Sequence, residues 1–292
     1  VGLDGPGWGA SVLARADAVH VFHDWAGLAA WLDSRQRQAA PAQAPWAGYR
    51  GGPIGQLSYE LHRDTLGVHA QPDAGEPLAR FLLPGGWLAF DRASQRVFAA
   101  WEPGRTMPDW LRGVVESWEA PQPPPSASAN TAASAALPGF ASWTPLLDAS
   151  AYTERVCGLQ DAIARGDSYE ACLTHAYSVE APLADADAVY LRLRARNPAP
   201  YAARFDFGDV RVLCASPELF LESAGGELRG RPIKGTRSRG QTPSADAALR
   251  AELAAAEKDA AENRMIVDLT RHDFARVCEP GSVTVPVFLE VE

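Results

Sequence analysis

The strongest constraint on the fold is a stretch of biased composition at residues 119–141. It is rich in proline, alanine and serine, includes three consecutive prolines at 123–125, and holds too little apolar surface to order itself. We therefore predict an N-terminal region at 1–118, a linker at 119–145 and a C-terminal region at 146–292. A chain of 292 residues is long enough to bury two cores of this size.

The N-terminal region alternates strand patterns with helix patterns. Asp24 is expected to cap a helix, and apolar residues at helical spacing predict another helix at 110–118. Glycines and prolines mark the turns between strands, including Pro84-Gly85-Gly86. The predicted strands lie at 19–22, 57–60, 81–83, 87–90 and 96–101.

The C-terminal region reads as helix, strand, helix and then a strand meander. Gly166 is expected to end the first helix, and Thr242-Pro243 to start a long helix that continues past Ala256. Two-residue turns are predicted at Gly208-Asp209 and Gly225-Gly226. The remaining predictions are helices at 152–163 and 187–196 and strands at 169–174, 203–207, 210–215, 218–222 and 283–291.

Composition excludes several classes of protein. A nucleic-acid surface needs a broad basic face, whereas this chain has a formal net charge of −9. No apolar run is long enough to span a bilayer. The four cysteines lack a CxxC spacing and lie in apolar stretches, which predicts buried, reduced thiols in a cytoplasmic protein. They are Cys157, Cys172, Cys214 and Cys278.

The densest chemistry is a basic run at residues 231–240. It places one lysine and three arginines beside two hydroxyls and two glycines. In an acidic chain such local basicity indicates a small, multiply charged anion. Thr236 and Arg237 can donate to carboxylate oxygens, and Gly235 lets a ligand approach the backbone. A solvated basic turn is the alternative that the spacing leaves open.

Acidic residues accompany this run on both sides. Glu218 follows Ser216-Pro217 at the end of a predicted strand, where a side chain points to a loop-lined cleft. Asp259 and Glu262 are three residues apart on the predicted long helix and share a face, as two carboxylates must to hold one Mg²⁺ with its waters. An ordinary solvated helical face explains the second pair equally simply.

Taken together, these motifs resemble the chorismate-utilising enzymes, most closely the branch that forms aminodeoxychorismate. The resemblance is specific over about residues 150–292 and looser in the N-terminal region, at Gly51-Gly52 and Ser58-Tyr59-Glu60. It implies an α+β fold of two packed antiparallel sheets ringed by helices, here only partly present. The matching stretches are 166–174, 197–201, 216–218, 232–237, 258–273 and 278–283.

The resemblance implies two catalytic residues. Lys234 corresponds to the lysine that attacks C2 of chorismate while the C4 hydroxyl leaves, and Glu218 to the acid that protonates this hydroxyl. An amine attacks only when neutral, so we expect partial burial and the arginines of the basic run to favour the neutral form. A lysine that merely pairs with a substrate carboxylate is the alternative. Glu170 stands where the water-adding branches carry a lysine base, which argues against a hydrated product.

The resemblance also implies a metal and substrate contacts. Glu262 corresponds to a Mg²⁺ ligand and Asp259 to its acidic neighbour in the metal shell, where the metal would neutralise a substrate carboxylate. Gly235 and Thr236 correspond to the part of the motif that touches substrate. Arg237 follows them and is predicted to donate hydrogen bonds to a substrate carboxylate.

The implied reaction joins chorismate and ammonia to give 4-amino-4-deoxychorismate for p-aminobenzoate and folate biosynthesis. A glutamine amidotransferase subunit or fused domain would supply the ammonia. Two alternatives remain: formation of anthranilate, whose branch usually carries a small residue in place of Lys234, and chorismate binding without turnover. Because the family continues beyond these motifs, with a second metal glutamate and a histidine, we expect residues 1–292 alone to be inactive.

Overall fold

The computed structural model describes residues 2–4, 10–38, 49–67, 76–119, 143–180 and 185–291, so most of the predicted linker lies outside the described residues. The strands are β1 (Gly2–Asp4), β2 (Ala10–Phe22), β3 (Ile54–Leu57), β4 (Ala79–Asp91), β5 (Arg96–Trp101), β6 (Thr144–Pro145), β7 (Tyr177–Ser178), β8 (Tyr201–Asp206), β9 (Arg211–Ser216), β10 (Leu219–Ala224) and β11 (Glu227–Arg231). The helices are α1 (Trp25–Gln38), α2 (His62–Leu66), α3 (Asp109–Glu119), α4 (Ala149–Arg165), α5 (Ala186–Arg196), α6 (Pro243–Ala255) and α7 (Glu257–Ala275), with a 3₁₀ turn at Tyr59–Leu61.

One antiparallel sheet of seven strands dominates the fold. Its order is β3-β4-β2-β1-β8-β9. The seventh strand, β5, pairs with the part of β4 that runs from Gly86 to Asp91. The short strand β1 joins the two halves of this sheet, because Gly2 pairs with Leu13 on β2 and with Arg204 on β8. Strands from before and after the predicted linker therefore belong to the same sheet.

The compact units consequently do not follow the boundary predicted at 119–145. One unit contains residues 1–115 and 198–292, and the other contains residues 116–197. The composition of the predicted linker does not determine which flanking segments pair with each other. Backbone pairing through β1 makes that decision, and it acts between residues about two hundred positions apart.

Two clusters of buried side chains form the core of the sheet. The alternation of inward and outward residues along each strand places apolar side chains on shared faces. Tyr49 packs against both clusters, so the loop before β3 also covers the core. The first cluster is Ile54, Leu82, Ala203, Phe205 and Phe207, and the second is Val12, Ala14, Trp87 and Ala89.

Local signals set several element ends as predicted. The Asp24 carboxylate accepts a hydrogen bond from the Gly27 backbone N–H at 2.7 Å and so caps α1. Gly166 ends α4 in the left-handed region at φ 82°. Thr242 caps α6, and Pro243 is its first residue. The strand at 96–101 is also confirmed.

The turn predicted at Pro84-Gly85-Gly86 is wrong, because β4 runs through these residues without interruption. The pairing of β2 with β4 shifts register opposite them, around Asp17. A β-carbon on Gly85 would lie 2.1 Å from Asp17 Oδ2, so the glycine permits close approach at a bulge and not a reversal of the chain.

Three further element predictions are corrected. Residues 169–174 and 283–291 form no strand, since apolar alternation makes a strand only where a partner strand is available. The predicted long helix divides at Ala256, whose ψ of 103° is extended, into α6 and α7. Apolar spacing continues across this break and gives no sign of it.

The cysteines are free, as expected, but they are less buried than predicted. Cys157 and Cys172 are exposed, and Cys214 and Cys278 are half-buried. Apolar neighbours along the chain do not fix the face on which a given cysteine lies. None of the described helices combines the length and the apolar character that crossing a membrane requires.

The close approach of β3 to β4 generates a stability prediction. A β-carbon on Gly55 would lie 2.0 Å from the Arg80 carbonyl oxygen and 2.8 Å from the Phe81 Cα atom. We expect Gly55→Ala to lower the free energy of unfolding by about 2 kcal/mol, because rigid backbone must move apart. The control is Gly113→Ala on α3, where a β-carbon meets nothing within 4 Å. Equal denaturation midpoints for the two variants would contradict this account.

Candidate active site

The predicted site residues lie where the β10–β11 hairpin meets α7, within one compact unit. A β-carbon on Gly230 of β11 would lie 3.2 Å from Phe274 Cζ and 3.4 Å from Thr270 Cγ2, so the hairpin packs closely on this helix. After β11 the chain has no regular secondary structure until α6 begins. We call residues 232–242 the basic loop.

Lys234 lies opposite the carboxylate that the sequence predicts as a metal ligand. Its Nζ atom is 3.6 Å from Glu262 Oε1, and the exposed fractions of the two side chains are 24% and 32%. The predicted nucleophile and the predicted ligand therefore share one partly shielded site. The structure thus brings the basic loop and the acidic face of α7 together.

Glu218 is held beside the same loop. The Ile233 backbone N–H donates to Glu218 Oε1 at 2.9 Å, one residue before Lys234. The Ser216 hydroxyl accepts from the Glu218 backbone N–H at 3.3 Å and shapes the turn that enters β10. The predicted acid therefore contacts the backbone one residue before the predicted nucleophile.

Gly235 lets the basic loop lie directly on α7. Its φ of 78° is in the left-handed region, and a β-carbon there would lie 2.8 Å from Asp259 Cβ and 2.9 Å from Asp259 Oδ1. Any larger residue would push the loop away from the helix. Thr236, the next residue, is exposed, and its carbonyl oxygen accepts from Arg237 Nη1 at 2.9 Å.

Arg237 connects α6 to α7. Its Nε atom donates to Glu252 Oε1 at 2.9 Å, and its Nη2 atom donates to Asp259 Oδ2 at 3.0 Å. These two carboxylates, Glu252 first, raise the pKa of Arg237 above its already high ordinary value. Most of the guanidinium fork is therefore used inside the protein, although the sequence predicted it as a donor to substrate.

Arg239 forms a second, bidentate pair. Its Nε and Nη2 atoms donate to the two oxygens of Asp246, each at 2.7 Å. The Gly240 backbone N–H also donates to Asp246 Oδ1, at 2.8 Å. The Arg239 guanidinium and then this N–H lower the pKa of Asp246 to about 2.

The basic run is thus not the open anion site that its composition suggests. Three carboxylates offset the charges of Arg237 and Arg239, and Arg229 pairs with Glu227 at 3.1 Å on the exposed hairpin. Sequence reasoning missed Asp246 and Glu252. The available signal was that both residues are acidic and lie on the helix directly after the basic loop. Such a helix can fold back and pair with the loop.

The acidic residues of α7 supply the type of ligand that Mg²⁺ binds, but only part of the usual number of ligands. Magnesium takes oxygen ligands and commonly uses one or two carboxylates while keeping several waters. Glu262 has its carboxylate at the site, whereas Asp259 has given Oδ2 to Arg237. Within the described ranges no three histidine, cysteine, aspartate or glutamate side chains gather as a metal cluster. Glu262 faces Lys234 at 3.6 Å and Asp259 accepts from Arg237 at 3.0 Å, so Glu262 is the less tightly paired of the two carboxylates.

The helices and the antiparallel sheet together make an α+β fold. A family model described as "chorismate binding enzyme" matches residues 6–292, and the chain belongs to this family. The fold predicted from the sequence is confirmed by anthranilate synthase component I from Streptococcus pneumoniae, which matches 97% of this chain and 65% of its own at a TM-score of 0.79. At 24% identity this likeness concerns the fold alone.

Curated relatives carry two different names. Anthranilate synthase component 1 of Streptomyces coelicolor is 36% identical over 275 residues, which are 89% of this chain and 54% of that protein. Aminodeoxychorismate synthase of Streptomyces pristinaespiralis is 39% identical over 273 residues, 87% of this chain and 36% of that protein. The chain thus spans about half or less of the length of these relatives.

The Asp246 pair generates a pH prediction. An aspartate whose pKa is lowered in the folded protein contributes stability above the ordinary value of about 4, and this contribution is lost as pH falls through the folded pKa of about 2. We expect Asp246→Asn to be less stable than wild type near neutral pH, and the difference to shrink below about pH 4. Chemical denaturation across this range measures it. A difference independent of pH would contradict the pairing.

Proposed function

We propose that the chain carries the aminodeoxychorismate synthase component I activity, which converts chorismate and ammonia to 4-amino-4-deoxychorismate for p-aminobenzoate and folate synthesis. The observation that carries the proposal is Lys234, partly shielded and 3.6 Å from Glu262. Relatives named aminodeoxychorismate synthase support it. The second candidate is anthranilate formation, which the relative from Streptomyces coelicolor favours and Lys234 disfavours, since that branch usually has a small residue there.

In the proposed reaction the Lys234 amine, after losing its proton, attacks C2 of chorismate. The C2–N bond forms while the double bonds shift and the C4–O bond breaks. Glu218, whose Oε1 accepts from the Ile233 N–H, donates a proton so that the C4 oxygen leaves as water. Ammonia then forms a bond to C4 and expels the lysine, which restores the enzyme.

The neutral state of Lys234 must come from its immediate surroundings. The arginines nearest along the chain are offset by Glu252, Asp259 and Asp246, so they supply less positive field than the sequence suggests. The Glu262 carboxylate at 3.6 Å favours the protonated amine, so partial exclusion of water at an exposed fraction of 24%, completed by bound substrate, has to outweigh it.

Glu262 is the proposed ligand of Mg²⁺, with Asp259 as its acidic neighbour. When bound, the metal supplies positive charge that neutralises a substrate carboxylate. Gly235 and Thr236 are proposed to contact the substrate, because the loop bends there with backbone close to α7 and with Thr236 exposed. We also propose that a glutamine amidotransferase partner or domain delivers the ammonia.

The test of this function is the product together with the fate of Lys234. With chorismate, Mg²⁺ and an ammonium salt, the full-length protein is expected to form 4-amino-4-deoxychorismate, resolved from anthranilate by chromatography. With chorismate and Mg²⁺ but no ammonia, mass spectrometry is expected to find a chorismate-derived adduct on Lys234. Absence of the adduct, with near-normal amination by Lys234→Arg, would show that the residue is only a cationic anchor.

The proposed metal ligand generates a separate prediction. Glu262→Gln removes a charged oxygen from the Mg²⁺ shell, so we expect the Mg²⁺ concentration for half-maximal rate to rise by about tenfold or more. Glu257→Gln, an exposed change on the first turn of the same helix, is the matched control and should behave as wild type. An unchanged Mg²⁺ response in Glu262→Gln would remove Glu262 from the metal site.

A further inference from the structure

We propose that α6 acts as a positioning element for the basic loop, with Glu252 and Asp246 as positioning residues that act through Arg237 and Arg239. By this inference Arg237 braces the loop and does not bind substrate. The inference rests on the proposed role of Lys234, because it concerns how that residue is held. It assigns a role to Glu252 and Asp246, which do not take part in the proposed reaction.

The basic loop is fixed at two glycines that tolerate no side chain. Gly235 lies against Asp259 of α7, where a β-carbon would approach within 2.8 Å. Gly240 lies against the first turn of α6, where a β-carbon would lie 2.2 Å from the Asp246 backbone nitrogen and 2.6 Å from the Ala245 carbonyl carbon. The loop backbone therefore lies against the Asp259 side chain of α7 and against the backbone of α6, and Lys234 directly precedes the first of these contacts.

Arg237 lies between the two glycines in the loop and contacts both helices. Its guanidinium donates to Glu252 on α6, to Asp259 on α7 and to the Thr236 carbonyl oxygen within the loop. The two helices are separated by the extended Ala256, so the guanidinium connects two helices that meet at a bend. A planar fork can satisfy three acceptors at once, whereas the single ammonium of a lysine cannot reproduce that geometry.

The contact of Glu252 is better suited to placing the loop than to stabilising the fold. The exposed fraction of the Glu252 side chain is 60%, and a pair this exposed contributes little to stability. A displacement of about 1 Å at a reacting group can nevertheless cost about 100-fold in rate. The loss of a brace should therefore appear in turnover before it appears in the melting temperature.

The experiment is a double-mutant cycle on the full-length protein with its ammonia source. It uses Glu252→Gln, Arg237→Lys and both together, with Glu257→Gln as the exposed control. Chorismate consumption is followed, so the cycle reports positioning whichever product forms, and product identity tests the proposed function separately. We expect Arg237→Lys to lower kcat by at least about tenfold with KM for chorismate within about twofold. The double variant should be no slower than Arg237→Lys, because Glu252 acts through Arg237.

Other outcomes overturn the inference. If Arg237→Lys raises KM many-fold with kcat unchanged, Arg237 binds substrate and is not a brace. If the losses of the single variants multiply in the double variant, Glu252 acts independently of Arg237. If kcat falls only in proportion to a lost folded fraction, measured by melting in the same buffer, the role is structural. Glu252→Gln changes an exposed side chain and keeps the cycle informative should Arg237→Lys fold poorly.

Discussion

The guanidinium fork of Arg237 is the interaction on which the rest of the site depends. It joins α6, α7 and the basic loop, and it does so with two carboxylates and a backbone carbonyl as acceptors. The other described contacts of the loop include the packing at two glycines, the Ile233 hydrogen bond to Glu218 and the exposed Arg239 pair. The orientation of Lys234 toward Glu262 follows from this arrangement, because the lysine precedes Gly235 by one residue.

This arrangement changes the meaning of the basic residues. Arginines in an acidic chain first suggest an electrostatic funnel for an anion, but here most of their charge is matched by nearby carboxylates. The site therefore relies on geometry more than on excess positive charge. Donors and acceptors are held in place before substrate arrives, which is where preorganised sites gain most of their rate.

The fold and the family do not by themselves select the product. Relatives of similar identity are named anthranilate synthase and aminodeoxychorismate synthase, and a single position on the basic loop is the feature that we use to choose between them. The two proposed reactions differ in whether the enzyme supplies an amine of its own.

The sequence by itself determined the features that depend on neighbours in the chain: the Asp24 cap, the Gly166 helix end, the glycine turns and the motifs that contain Lys234, Glu218 and Glu262. Only the tertiary structure decided the path of β4 through Pro84, the helix break at Ala256, the sheet pairing through β1 and the partners of Arg237. The sheet pairings and the Arg237 contacts depend on residues well separated in the sequence that pair in space. Residue types show what a side chain can bond, but packing determines which partner it meets.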